Sequence, residues 1–244
     1  HTGMGQSFGS ATREKSAGNF EKNAVLYDSI LNLSYAVGGR NDSLFITEMR
    51  LGEGKKVKNG GFEYNEIDVK HWRRQHVNYI VGSGQHTNSH IFSENGYLFQ
   101  APFTYYTQSG TLDFPPGFED GNNSRFSRPI GLECMSCHNA MPTGFVAGSE
   151  NKFEVVPQGI DCERCHGPGS LHVARIQRGI APDTSKGPDY SIVNPKRLST
   201  ELQFEICQRC HLQGNTVLKP GKSYFDFKPG MHLDSVMTIF LPRY

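Results

Sequence analysis

The first 133 residues of this 244-residue chain contain no cysteine, and the whole chain has a single tryptophan and no long apolar run. Without a stretch of about 18 apolar residues, the sequence predicts no membrane-spanning helix. Lys and Arg number 25 against 24 Asp and Glu, so no excess of charge favours nucleic acid or an acidic membrane as a partner. Hydrophobic residues make up 36% of the chain, which predicts a modest aliphatic core unless another kind of group completes it.

The cysteines fall into three Cys-x-x-Cys-His motifs, at residues 134–138, 162–166 and 207–211. This pattern is the attachment signature of c-type haem. Two thiols three positions apart can add to the vinyl groups of one porphyrin edge, and the histidine that follows binds the iron. The sequence therefore predicts three covalent haems c. The predicted attachment and proximal residues are Cys134, Cys137, His138, Cys162, Cys165, His166, Cys207, Cys210 and His211.

Zinc knuckles, redox dithiols and disulfides are the alternatives for a Cys-x-x-Cys pair. Histidine accounts for only 10 of the 244 residues, so chance would rarely place one directly after all three pairs. Zinc knuckles also tend to come in twos, and disulfides need no histidine. The pattern therefore favours haem over zinc and over disulfides.

Three haems in residues 128–244 leave too few side chains to isolate each ring. We therefore expect neighbouring haems to lie close together, which allows electrons to pass between them. Porphyrins would also supply the apolar core that the side chains lack.

Histidines outside the motifs outnumber the irons, so a second histidine ligand on each iron is expected. His172 follows the Gly167–Gly169 turn, which should begin a helix and point His172 at a neighbouring haem. His86 and His90 are four residues apart, which puts both on one face of a strand or a helix. The alternatives are a surface histidine at position 172 and one bystander among His86 and His90. The candidate partners for haem propionates are Arg125, Arg128, Arg164, Arg175 and Arg209.

Alternating runs between turn clusters predict an antiparallel sheet in the N-terminal half. The expected strands are Ser43–Arg50, His76–Val81 and Tyr97–Tyr106. Residues 116–133 are turn-rich and are predicted to form a linker.

Short helices are expected at Ser170–Arg178 and Ser199–Gln208, with Ser199 as a candidate N-cap of the second. The predicted fold class is α+β with much irregular structure, in which short helices and loops surround stacked haems and a small antiparallel β region precedes them. The predicted divisions are an N-terminal segment with a candidate distal histidine (1–23), a β-rich region (24–127) and a trihaem region (128–244).

The segment CERCHGPGSLHV, which begins at Cys162, resembles the CxxCHGPGxxH segment of multihaem cytochromes c related to the tetrahaem electron carriers of nitrifying bacteria. That group includes hydroxylamine oxidoreductase. The order IGLECMSCHN, GIDCERCHGPGS and EICQRCHLQG resembles a branch found in larger secreted cytochromes, some of them fused to tetratricopeptide repeats. The resemblance is specific over residues 128–211, weaker over 78–127 and near absent over 20–77.

The resemblance implies bis-His haems in close pairs, electron transfer, and a distal-ligand role for His172. It also implies that a histidine shortly after an N-terminal haem motif is distal, and His1 in HTGMGQSF occupies that place. In the family a further Cys-x-x-Cys-His precedes that histidine, and this chain lacks it. We therefore expect the chain to be a portion of a larger cytochrome.

The favoured function is electron transfer, with no catalytic residue, because the motifs are unmodified and histidines are in excess. One alternative is part of an oxidoreductase acting on small nitrogen compounds, which would need an open iron position. Another is a subunit of an extracellular cytochrome filament or surface complex. The expected partners are redox proteins or neighbouring cytochrome chains, including copies of itself in a homo-oligomer. Covalent haem attachment takes place outside the cytoplasm, so a bacterial periplasmic or extracellular location is expected.

Overall fold

The computed structural model of the chain describes residues 2–18, 25–52, 69–183, 185, 187–212 and 214–241. The strands in these residues are β1 (Phe8–Ser10), β2 (Val25–Asp28), β3 (Leu33–Arg40), β4 (Ser43–Leu51), β5 (Val69–Val77), β6 (Tyr79–Val81), β7 (Thr87–Glu94), β8 (Tyr97–Tyr106), β9 (Thr111–Asp113), β10 (Asn215–Leu218) and β11 (Met237–Phe240). The α-helices are α1 (Leu132–His138), α2 (Glu163–His166), α3 (Ser170–Gln177) and α4 (Thr200–Gln208). None of the helices in the described part of the chain is long and apolar enough to cross a membrane.

The predicted fold class is wrong. The structure is mostly β-sheet, with 31% strand and 16% helix, and the described residues form three antiparallel sheets and only four α-helices. An arrangement of short helices around stacked haems, with only a small β region before it, is not what the chain shows. The prediction underestimated the sheet because two of its long strands do not carry an ordinary strand sequence.

β3 and β7 are two of the longer strands that were not predicted, and each contains residues typical of turns. Gly38 and Gly39 interrupt β3 in sequence, yet they pair in register with Phe45 and Leu44 of β4. The polar run Thr87-Asn88-Ser89 opens β7, where it pairs with the end of β8. Pairing with an apolar neighbouring strand outweighs the weak local preference of these residues, because strand propensity depends strongly on context.

Several predicted elements coincide with observed ones. The prediction Ser43–Arg50 falls within β4, and Tyr97–Tyr106 is β8. The prediction His76–Val81 covers the end of β5 and all of β6. In α4, the hydroxyl oxygen of Ser199 accepts a hydrogen bond of 3.3 Å from the Leu202 N–H, which confirms Ser199 as the N-cap.

The chain divides into two compact units, and the first extends to Gly131 and includes Thr143–Gly159. Its two antiparallel sheets have the strand orders β1-β6-β7-β8-β9 and β2-β3-β4-β5. Side chains from both sheets form one core, among them Tyr35, Ile46 and Phe103. Burial of these large side chains is the main favourable contribution to the stability of this unit.

The second unit consists of Leu132–Pro142 together with the chain from Ile160 onward. It contains all four α-helices and the hairpin of β10 and β11. Its core is small. Among the described residues one cluster has five buried members, Ile206, Phe227, Leu233, Val236 and Met237, and Met135 and Ala140 are buried as well. Partly buried Cys165 packs against this core. The predicted division of the chain at residues 23 and 127 stays a prediction.

A buried polar cluster attaches the segment before α1 to the sheet of β2–β5. The guanidinium of Arg125 donates two hydrogen bonds to the carboxylate of fully buried Glu48, from Nε at 2.8 Å and from Nη2. The Asn123 amide donates to Asp28 at 2.8 Å and to the Tyr35 hydroxyl at 3.0 Å. Burial disfavours the charged form of Glu48, but the hydrogen bonds and charge of Arg125 outweigh it, so the pKa of Glu48 is lowered.

We predict that Arg125→Ala lowers the free energy of unfolding of this unit by about 3 kcal/mol at pH 7, because it leaves a buried carboxylate without its main partner. Urea unfolding followed by fluorescence of Trp72, the only tryptophan, measures the loss, since Trp72 lies in β5. Arg50→Ala is the matched control, because Arg50 is an exposed arginine of β4 whose hydrogen bond among the described residues is to the backbone oxygen of Leu31.

The pH dependence of the two proteins should have opposite sign. In the wild type the pKa of Glu48 is lowered in the folded state, so its contribution is present above the unfolded pKa and is lost as the pH falls through the folded pKa. In Arg125→Ala burial, the largest single influence on the pKa of Glu48, is opposed only by the hydrogen bonds of Tyr35 and His71. We therefore expect the folded pKa to be raised and stability to fall as the pH rises from about 4.5 to 7. An Arg125→Ala protein that is no more stable at pH 5 than at pH 7 would contradict this account.

Candidate haem attachment site

All three Cys-x-x-Cys-His motifs lie in the second unit, and each forms a helical turn. The first motif ends α1, the second coincides with the N-cap and body of α2, and the third follows from the last turn of α4. The backbone N–H of His166 donates to the Cys162 carbonyl at 2.9 Å, and the N–H of His211 donates to the Cys207 carbonyl at 2.9 Å. Residues three and four apart share one side of a helical turn, so each turn presents two thiols and an imidazole together.

The cysteines are placed for attachment of an external group. In each motif the first cysteine is exposed and the second is partly buried, and none of the six is in a disulfide. Among the described residues, the group that brings three metal-ligand atoms within 4.8 Å of one another is Glu201, Glu205 and His232. The motif cysteines therefore do not form the compact tetrahedral cluster that a structural zinc ion needs, and the disulfide alternative finds no support.

The residues that precede the second cysteine of each motif are buried together. We call Ser136, Arg164 and Arg209 the motif junction; their exposed fractions are 6%, 5% and 7%. The guanidinium of Arg164 donates to the Ser136 carbonyl oxygen, and Nη1 of Arg209 donates to the Arg164 carbonyl oxygen at 3.4 Å. The second motif is thus bonded to the first, and the third to the second.

Both carbonyl groups of the junction accept these bonds because they lack an intrahelical partner. The carbonyl of Arg164 would normally bond to the N–H four residues later, but that residue is Pro168, which has none. The carbonyl of Ser136 faces the end of α1, where the N–H of Ala140 donates to the side chain of Asn139 instead. Carbonyl groups at a helix C-terminus need an outside donor, and the two arginines supply it.

The first and third motifs also meet directly, at their second cysteines. Cys137 Sγ lies 3.8 Å from the Arg209 carbonyl oxygen, and Cys210 Sγ lies 3.9 Å from the Ser136 carbonyl oxygen, so the two contacts are reciprocal. A hydrogen bond between the thiols raises the pKa of Cys137, together with burial, and lowers the pKa of Cys210. The attachment points of these two motifs are therefore in contact.

Two aromatic side chains cover the buried guanidinium groups. The Arg164 guanidinium lies 4.9 Å from the centre of the Phe225 ring, and that of Arg209 lies 5.8 Å from the centre of the Phe227 ring. Both are distances at which a cation is attracted to the ring face. In the described part of the chain Nη2 of Arg209 has no hydrogen-bond partner, so this buried nitrogen can still donate to an anionic group.

The proximal histidine of the second motif is oriented by a backbone carbonyl. His166 Nδ1 lies 2.9 Å from the Val193 carbonyl oxygen, which requires Nδ1 to carry the proton. The lone pair is then on Nε2, the atom that would face an iron. His138 and His211 are exposed.

The predicted distal histidines have different surroundings. His172 lies in α3, partly buried, with Nδ1 2.7 Å from the carboxylate of Asp189. His86 is in the first unit, exposed, with Nδ1 3.2 Å from Nε2 of Gln108. His90 is fully buried in β7 and stacks on Phe103, with 4.1 Å between ring centres, and burial lowers its pKa to about 3. His1 lies outside the described residues, and the ligand roles of these histidines stay predictions.

The second unit leaves apolar side chains uncovered around the motifs, as a porphyrin would require. No residue of α3, which directly follows the second motif, is buried. Leu171, Val173 and Ile176 in this helix are 59%, 50% and 45% exposed. With the small aliphatic core of the unit, these exposed groups fit binding of a large apolar cofactor.

The arginines divide between structural and site roles. Arg125 binds Glu48, and Arg128 donates to the backbone oxygens of Pro116 and Gly117 at 2.8 Å. Both lie in the first unit and are used to hold its loops. No local pattern in the sequence indicates the mutual burial of Arg164 and Arg209, and nothing in the sequence around Asp189 marks that residue as part of the site.

We predict that Arg164→Ala lowers the free energy of unfolding of the second unit by about 2 kcal/mol, the typical worth of a hydrogen bond from a charged donor. Hydrogen–deuterium exchange of peptides from residues 132–142 and 160–178, read by mass spectrometry, should become faster. The control is Arg178→Ala, which removes an exposed arginine at the end of α3. Equal exchange in the two variants would show that the junction does not stabilise this unit.

Comparison with known protein families matches residues 122–167 to the family described as cytochrome c554 and c-prime. The matched segment contains the first two motifs and ends before the third. The search of curated proteins found no match, and the search of solved structures found none either. The family match supports a c-type cytochrome family for this chain, with electron transfer, covalently bound haem c and a place outside the cytoplasm.

Proposed function

We propose that the chain is an electron carrier that binds three haems c, one at each Cys-x-x-Cys-His motif. Haem c, when bound, supplies an iron that gains and loses one electron. The proposal assigns thioether attachment to the six cysteines and proximal ligation to His138, His166 and His211. Electrons would be exchanged with separate redox proteins or with neighbouring cytochrome chains, in a bacterial periplasm or at the cell surface.

The observation that carries the proposal is the meeting of the three motifs at the motif junction. Cys137 and Cys210 are in contact, and Arg164 connects the second motif to the first. Groups attached at these cysteines would be neighbours in one unit. Close neighbours suit the passage of electrons between groups, whereas a single catalytic centre would not need three converging attachment points.

The chain also supplies features that suit two histidine ligands per iron. Gly167 ends α2 with a φ of 72°, and its N–H donates to the Glu163 carbonyl. The Gly169 N–H then donates to the Glu163 carboxylate at 2.8 Å, and α3 begins at the next residue. The turn places His172 on a different helix from His166. We assign His172 to an iron other than the one that His166 binds.

The number of histidine ligands on each iron determines whether a substrate can bind there. Two histidines on an iron leave no position for a substrate, so the site would exchange electrons without binding small molecules. Because Nδ1 of His166 donates to the Val193 carbonyl, Nε2 is the ring nitrogen left to bind an iron.

We predict that the mature protein is heavier than the 27.2 kDa polypeptide by three haems, and that the Cys207→Ser/Cys210→Ser variant is heavier by two. The optical spectrum should be low-spin in both oxidation states and unchanged by carbon monoxide, because no iron has an open position. Intact mass spectrometry and absorption spectra with and without carbon monoxide measure this.

The outcomes separate the hypotheses. A mass without added haem would refute the proposal. Three haems with a high-spin fraction that binds carbon monoxide would contradict a carrier with only bis-His irons and favour an enzyme with an open iron position. The mass of the double serine variant reports the number of haems directly, because two sulfur-to-oxygen replacements change the mass of the polypeptide very little.

A further inference from the structure

One loop of the second unit contacts two histidines that the proposed function assigns to iron. The Val193 carbonyl lies 2.9 Å from His166 Nδ1, and the Val193 N–H donates to the His166 carbonyl at 3.0 Å. At the other end of the same loop, Asp189 Oδ2 lies 2.7 Å from His172 Nδ1. Residues 189–193 therefore hold both α2 and α3 by their histidines.

Ser191 holds the Asp189 carboxylate in place independently of His172. Its Oδ1 accepts hydrogen bonds from the Ser191 N–H at 2.9 Å and from the Ser191 hydroxyl at 2.5 Å. The other oxygen, Oδ2, is left to accept from His172. Arg175, one turn along α3, is a charged group beside the same carboxylate, with Nη1 4.0 Å from Oδ1.

The geometry determines which nitrogen of His172 can bind a metal. A proton on Nδ1 is needed for a hydrogen bond to a carboxylate, so the lone pair is on Nε2. Ser191 Oγ, at 3.4 Å from Nδ1, is on the same side of the ring. His172 is 31% exposed at its side chain, so its ring is accessible although one nitrogen is occupied.

The two histidines that this loop contacts donate to different kinds of acceptor. His166 donates to a neutral carbonyl, whereas His172 donates to a charged carboxylate. A carboxylate acceptor makes an imidazole ligand more basic, and a more basic ligand stabilises the ferric over the ferrous iron. The two ligands should therefore act differently on the reduction potentials of their irons.

We propose that Asp189 is a positioning residue that fixes His172 as an Nε2 ligand and lowers the reduction potential of the haem that His172 binds. The inference rests on the proposed role of His172 as a distal ligand. Outer partners of metal ligands typically change metal-site properties by 10- to 100-fold when they are replaced. The chemistry involves no bond change, only the one-electron equilibrium of that iron.

The test compares Asp189→Asn with the wild type by spectroelectrochemical titration of the holoprotein. Asparagine keeps the size of the side chain but removes the charge, so the fold and the three haems should be retained. We expect one haem to become easier to reduce, by roughly tenfold in its reduction equilibrium, or about 59 mV for one electron. The electron paramagnetic resonance signal of the same haem should shift, and the other two haems should keep their potentials. Asp189→Glu, which retains the carboxylate, should keep the potential of this haem close to its wild-type value.

The matched control is Asp183→Asn. Asp183 forms the same local turn, in which its Oδ1 accepts from the Ser185 N–H at 3.1 Å and from the Ser185 hydroxyl at 2.5 Å. This variant removes a carboxylate from the same kind of turn in the same unit, and it should leave all three potentials unchanged. A shift of similar size in Asp183→Asn, or no shift in a folded Asp189→Asn protein with three haems, would overturn the inference.

His172→Ala separates failure of the inference from failure of the proposed function. If His172 is a ligand, its removal opens one iron, which becomes high-spin and binds carbon monoxide. If His172→Ala leaves all irons low-spin, the distal assignment is wrong and the inference fails with it. If His172→Ala opens one iron but Asp189→Asn moves no potential, the inference alone is wrong.

Discussion

The second unit depends on the burial of two guanidinium groups that must give their N–H groups to acceptors. Arg164 and Arg209 reach the carbonyl oxygens of Ser136 and Arg164, which lack helical partners at the ends of α1 and α2. A buried guanidinium without any acceptor would cost several kcal/mol, so the hydrogen bonds of Arg164 and Arg209 and the arrangement of the motifs depend on each other. The same contacts bring Cys137 and Cys210 together.

The first unit uses a related device for another purpose. Glu48 is fully buried in its sheet, and its charge is matched by Arg125, which lies in the segment that leads toward α1. Arg125 has a φ of 56°, an uncommon value for a residue with a side chain. The bidentate ion pair offsets the cost of this conformation, because the carboxylate would otherwise be buried without its main partner. In both units, an arginine holds irregular chain by donating hydrogen bonds to buried acceptors: Arg125 to Glu48 in the first unit, and Arg164 to Ser136 in the second.

The composition of the second unit agrees with its proposed cofactors. Among its described residues only seven apolar side chains are buried, and α3 has no buried residue. A chain that cannot bury enough apolar surface needs another source of stability, such as a covalently bound group. Haem attachment at three converging motifs would cover exposed side chains such as Leu171 and would turn a weakly packed unit into a stable one. The bound haems would then both stabilise the unit and transfer electrons.

The sequence by itself determined the local chemistry of this protein. The spacing of Cys134, Cys137 and His138, repeated twice, indicates haem attachment because three and four residues make one helical turn. Ser199 was recognisable as an N-cap and β4 and β8 as strands, because these features depend on near neighbours along the chain. The family match over residues 122–167 agrees with the attachment chemistry.

Only the tertiary structure decided the features that depend on distant residues. The fold class was mispredicted because β3 contains two glycines whose strand conformation comes from pairing with β4. Two contacts join residues that are distant in sequence, that of Arg164 with Ser136 and that of Asp189 with His172. No local pattern marks these contacts or the burial of His90. The spacing of residues along the chain specifies the chemistry of a motif. Long-range packing and hydrogen bonding specify the partners that its residues contact.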